Sequence, residues 1–159
     1  MNKSSRSTLI GAVFILGLCL FSVSSASAQE VSGDIGLGGQ VGEPAGITLK
    51  AYNPGGMSYD FLAAFDLDDF FYLNVHGTFE RSISDDGQVN VFYGPGGFVG
   101  LYDRPRDLDD ELALGISGRL GLNFYVEQFE IYVQVTPRIE VVPATNGDVG
   151  GGLGFRYYF

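Results

Sequence analysis

FEIYVQVTPRIEV, residues 129–141, and DVGGGLGFRYYF, residues 148–159, both change character at every second position. In the first, Phe129, Ile131, Val133, Val135, Ile139 and Val141 take the odd places, and Glu130, Gln134, Arg138 and Glu140 the even ones. In the second, Leu153, Phe155, Tyr157 and Phe159 alternate with Gly152, Gly154, Arg156 and Tyr158. A β-strand turns successive side chains to opposite faces, so a period of two gathers the apolar residues on one face. These two stretches therefore read as amphipathic strands.

Working outward, the same period runs back nearly to residue 30. It predicts eight strands at about 31–41, 46–53, 58–66, 70–80, 89–101, 112–124, 129–141 and 148–159. Turn chemistry separates them at Glu43-Pro44-Ala45, Asn53-Pro54-Gly55-Gly56, Asp66 to Asp69, Asp85-Asp86-Gly87 and Asn146-Gly147-Asp148. No stretch carries a helical period of useful length. Eight strands of about eleven residues and seven connections of about six need about 130 residues, which the chain supplies. The even spacing predicts an all-β, antiparallel, up-and-down barrel.

Parity holds across the strands. Odd positions carry the apolar face everywhere except 112–124, where even positions do, and no charge falls on that face within these limits. The other face mixes glycine (Gly36, Gly38, Gly94, Gly96, Gly115, Gly121, Gly150 and Gly154 among them) with neutral polar and charged residues. A water-washed exterior would be rich in Lys and Glu. Strand glycines are costly unless space is scarce, as it is inside an eight-stranded barrel. The polar face is therefore assigned to the lumen and the apolar face to lipid. A soluble lipocalin-like barrel, with the opposite polarity, is the structural alternative. Pro95 and Pro137 sit mid-strand, where a bulge, a sharp bend or a rim position is expected.

The beginning of the chain reads as an export signal. Lys3 and Arg6 precede an apolar run from Leu9 to Val23, and Ala26-Ser27-Ala28 is a small-residue cleavage site. The run, at about fifteen residues, is short for a membrane helix of about twenty. Residues 1–28 are expected to be a signal peptide and 29–159 one barrel domain. Cys19 follows the bulky Leu18 within the apolar run, which argues against lipoprotein processing, and residues 29–159 contain no cysteine. They hold seven basic against nineteen acidic residues, a net charge of −12 that disfavours nucleic-acid partners. If this part enters a membrane it must do so as a closed barrel, because backbone groups in lipid need internal partners.

With the signal, the cysteine-free body, the eight amphipathic strands and the terminal aromatic in place, the chain resembles the small eight-stranded outer-membrane barrels of Gram-negative bacteria, of the OmpA and OmpX type. The resemblance implies a transmembrane barrel in the outer membrane, contacting lipid and lipopolysaccharide. It also implies that Leu153, Phe155, Tyr157 and Phe159 form the recognition signal for the barrel-assembly machinery, which acts with periplasmic chaperones. Adhesive members carry long outer loops; here only Tyr102 to Glu111 exceeds seven residues.

Chemistry is sought first among the lumen charges. Asp34, Lys50, Asp60, Glu80, Arg119, Glu130, Arg138, Glu140 and Arg156 share the polar parity, and buried charges must pair, so a salt-bridge network is expected. Such a network either plugs the barrel or gates a narrow conduction path. His76, the single histidine, has lumen parity and is expected to be a hydrogen-bonded interior residue rather than the base for Ser58 or Ser117. Asp66-Asp68-Asp69, Asp85-Asp86 and Asp107-Asp109-Asp110-Glu111 match no EF-hand loop and read as solvated loop charge. No catalytic residue, metal or cofactor is expected. The leading expectation is a monomeric, non-catalytic outer-membrane structural or surface component. The alternatives are a narrow pore for ions or small solutes, and a soluble periplasmic lipid-binding barrel.

Overall fold

The computed structural model describes residues 33–66, 70–102 and 111–159. The expected signal peptide, Asp68, Asp69 and the run from Asp103 to Asp110 lie outside them. Eight strands form: β1 (Ile35–Glu43), β2 (Gly46–Ala51), β3 (Ser58–Asp66), β4 (Phe70–Ser82), β5 (Val89–Tyr102), β6 (Glu111–Val126), β7 (Phe129–Val142) and β8 (Asn146–Tyr158). Each pairs antiparallel with its neighbours in sequence. β1 pairs with β8 from Gly36↔Tyr158 to Glu43↔Gly151, which closes the barrel. The eight-stranded, all-β, up-and-down architecture read from the alternation is thus the fold.

Polarity follows the parity. Leu37, Leu49, Tyr59, Phe79, Ile116, Leu120, Leu122, Ile131, Val133, Leu153 and Phe155 are exposed on the outside. Thr48, Lys50, Asp60, Asn74, His76, Arg119, Asn123, Glu130, Gln134 and Arg156 are buried inside. Among described outward strand positions only Glu43 and Arg81 are charged, and each lies at or next to a strand end. Outward aromatic rings collect toward the end that holds the chain termini. Phe79 and Tyr93 lie 6.3 Å apart there, and Phe129, Tyr157 and Phe159 make a run of edge-to-face contacts at 5.2 and 4.9 Å.

Lumen glycines make room mainly for rings. An added Cβ would fall on the Tyr132 ring at Gly154, on Phe92 at Gly121 and on Tyr158 at Gly36. At Gly38 it would strike the Phe155 carbonyl of the adjacent strand. At Gly150 it would strike the Glu43 carbonyl, with the Arg138 Cζ 3.3 Å from the added atom.

Two sequence expectations need correction. The last hairpin turns at 143–145, not at Asn146-Gly147-Asp148, because Pro143 has no amide to extend the ladder and Asn146, Gly147 and Asp148 already pair with Glu140, Ile139 and Arg138. Neither mid-strand proline sits at a bulge. The register between β4 and β5 is the same on both sides of a gap between His76↔Gly96 and Phe79↔Tyr93. Bonded pairs alternate from Ile83↔Val89, so the missing Pro95 amide faces the Gly77 carbonyl. The gap between β6 and β7, from Ser117↔Arg138 to Leu120↔Val135, places Pro137 opposite Gly118 in the same way. A proline deletes one donor, and the ladder skips that place and resumes in step. Among the described residues the one register shift lies elsewhere, at Leu114/Gly115 opposite Val142 and Glu140. Finally, the two-residue turn Glu127-Gln128 carries no glycine or asparagine, and Glu127 adopts φ 53°.

Candidate functional site

Inside the barrel, strand alternation forces long charged side chains into a space free of bulk water, where each must find a partner. Lys50 of β2 binds the Glu80 carboxylate of β4 and lies 3.2 Å from Glu130 of β7. Arg156 of β8 bridges two acids, with Nη1 2.9 Å from Glu130 Oε2 and Nη2 2.6 Å from Asp60 Oδ2. Arg119 of β6 holds the other Asp60 oxygen at 2.5 Å. Three bases therefore meet three acids, and the network is neutral.

Neutral groups complete the coordination. Glu130 accepts hydrogen bonds from Asn123 Nδ2 at 2.9 Å and from Tyr158 Oη at 2.7 Å. The Tyr125 hydroxyl donates to Glu80 and accepts from Lys50 Nζ at 3.1 Å. The Arg156 guanidinium donates from Nε to Thr48 Oγ1 at 3.2 Å and lies over the Tyr132 ring, 4.2 Å from its centroid. Next to the termini, Tyr52, Tyr125 and Tyr158 pack with centroids 5.8 to 6.0 Å apart and cap the network on that side. Above it, Gln40 Oε1 accepts from Gln134 Nε2 at 2.9 Å and from the Tyr132 hydroxyl at 3.3 Å.

Of the nine charges expected in the lumen network, six meet: Lys50, Asp60, Glu80, Arg119, Glu130 and Arg156. Asp34 does not join them. It precedes β1 and is exposed, since the strand begins one residue later than its parity would allow. Arg138 and Glu140 lie at the opposite end of the barrel, where Arg138 pairs with Asp148. That partner was assigned to a turn in the sequence, so the pair was missed. Tyr125 and Tyr158 escape the sequence reading as well, although Tyr125 faces Glu130 across the ladder and Tyr158 lies two residues from Arg156; Asn123 has lumen parity, but its bond to Glu130 is not legible from it.

His76 is fully buried, and its Nε2 lies 2.9 Å from Ser117 Oγ. Its cross-strand neighbour Asp60 is taken by Arg119 and Arg156 rather than by the imidazole. At the termini end, Asp86 serves its own turn: Oδ1 accepts from Gln88 N at 3.2 Å, and the Ser84 hydroxyl holds the carboxyl below the usual range.

A cavity of about 150 Å³ opens at the end opposite the termini. It is lined by Tyr72, Phe98, Arg138, Glu140, Asn146 and Asp148. The Tyr72 and Phe98 rings stack at 5.5 Å, and the Arg138 guanidinium lies 5.7 Å from the Tyr72 centroid. Comparison with protein-family models, with curated proteins and with solved structures finds no match for this chain.

Proposed function

We propose that the protein is an integral outer-membrane β-barrel, exported through its N-terminal segment, acting as a monomeric, non-catalytic structural or surface component of the OmpA and OmpX type. The single observation that carries this reading is the inverted polarity. Apolar side chains surround the barrel's outside while charges fill the inside. Soluble monomers rarely expose contiguous apolar patches larger than a few hundred Å². In hydrocarbon an outward charge costs about 2–4 kcal/mol at the midplane, which suits Glu43 and Arg81 lying at strand ends. The aromatic run toward the termini suits a membrane interface. Lipid and lipopolysaccharide would cover the outside, and the assembly machinery would engage Leu153, Phe155, Tyr157 and Phe159.

A packed, neutral network under a tyrosine cap supports the plugged lumen over the narrow pore and over a soluble lipid carrier. Fractionation tests the location: the protein should sediment with outer membranes, resist urea extraction and migrate faster on gels when unheated. Recovery in the soluble periplasm would overturn the assignment. Discrete single-channel steps in planar bilayers would overturn the plug.

A further inference from the structure

The cavity opposite the termini has chemistry of its own. Arg138 is committed to Asp148 and to the Tyr72 ring, and its guanidinium is mostly buried while the Asp148 carboxylate stays half exposed. Glu140, two residues along β7, also lines the cavity, facing Asn146 across the ladder. Among the described residues neither Glu140 nor Asn146 has a hydrogen-bond or ion-pair partner, although Glu140 is partly buried. Arg138, the cation nearest Glu140 in sequence, is already spent on Asp148. A carboxylate and an amide thus stand side by side in a cavity with an aromatic wall, with no donor to the carboxylate among the described residues.

We infer that this cup binds the primary ammonium group of a short aliphatic amine. The ammonium nitrogen, with three donors and no acceptor, matches Glu140 and the Asn146 amide oxygen. The methylene chain would lie against Tyr72 and Phe98. A volume of about 150 Å³ equals the liquid volume of about five waters, enough for a short chain and too small for a lipid. Two acids against one base make the lining net negative, which disfavours an anion of the same length.

Calorimetric titration of the folded full chain in detergent micelles tests this, with cadaverine as the probe and glutarate as its anionic counterpart. Cadaverine should bind saturably at one site, and glutarate should not. Glu140→Gln should weaken cadaverine about tenfold, and Asn146→Leu several-fold. Asp86→Asn, which removes an acid at the far end, should leave binding unchanged, and gel mobility confirms that each variant is folded. Equal binding of glutarate would overturn the inference. So would a Glu140→Gln variant that binds normally, equal weakening by Asp86→Asn, or no saturation up to about 10 mM.

Discussion

Arg156→Met tests whether the lumen is a dry, charge-balanced plug. The guanidinium is 1% exposed and holds Glu130, Asp60 and Thr48 while stacking on Tyr132. Removing it leaves Lys50 and Arg119 against Asp60, Glu80 and Glu130, a net charge of −1 in the lumen. Neither bridged acid is orphaned, because Lys50 remains at Glu130 and Arg119 at Asp60. Removing one partner of a buried ion pair costs about 3–5 kcal/mol, and methionine retains part of the packing on Tyr132. A loss of about 3 kcal/mol is expected. Adding Glu130→Gln restores two bases against two acids. The double variant should therefore be less destabilised than the sum of the singles, by about 1–3 kcal/mol. Urea unfolding in detergent micelles, with folded and unfolded forms separated by gel mobility, gives both quantities. A loss below about 1 kcal/mol, or strict additivity, would mean that water screens these charges, and the sealed-plug argument would fail.

Three further outcomes follow from local geometry. Gly38→Ala drives a methyl group into the Phe155 carbonyl and should cost at least about 1–3 kcal/mol, whereas Gly147→Ala, with nothing within 4 Å, should be nearly neutral in the same assay. Glu127→Asn relieves a left-handed backbone at a non-glycine residue and should stabilise by up to about 1 kcal/mol, read as a higher urea midpoint. Pro95→Val returns an amide opposite the Gly77 carbonyl and should gain about 0.5–1.5 kcal/mol, with a new slowly exchanging amide at residue 95.

Much of the fold was legible because strand periodicity is local. Whether Leu120 and Leu122 point outward depends only on their parity with Gly121 and Arg119, and the change of parity at β6 was visible before any pairing was known. Strand ends were less legible. The Glu127-Gln128 turn has no composition signal, and the β7–β8 turn was drawn to Asn146-Gly147 when Pro143 had already ended the ladder. The charge network was legible in membership more than in partnership. Parity collects all six charges of the network, but not the height at which each sits, and so it joins Arg138 and Glu140 to a network they do not reach.

From its sequence alone this chain determined an eight-stranded barrel with an apolar outside and a charged inside, because alternation, turn residues and the need to pair backbone groups act over a few residues at a time. Only the tertiary structure decided which charge meets which. Barrel closure sets the register of β1 on β8, and that register brings Asp60 of β3 within hydrogen-bond distance of Arg156, which already faces Glu130 across the β7–β8 ladder. The β7–β8 hairpin leaves Glu140 beside Asn146 at the other end, outside the neutral cluster. Contacts across a lumen depend on strand stagger summed around the whole ring, and no local stretch of sequence contains that sum.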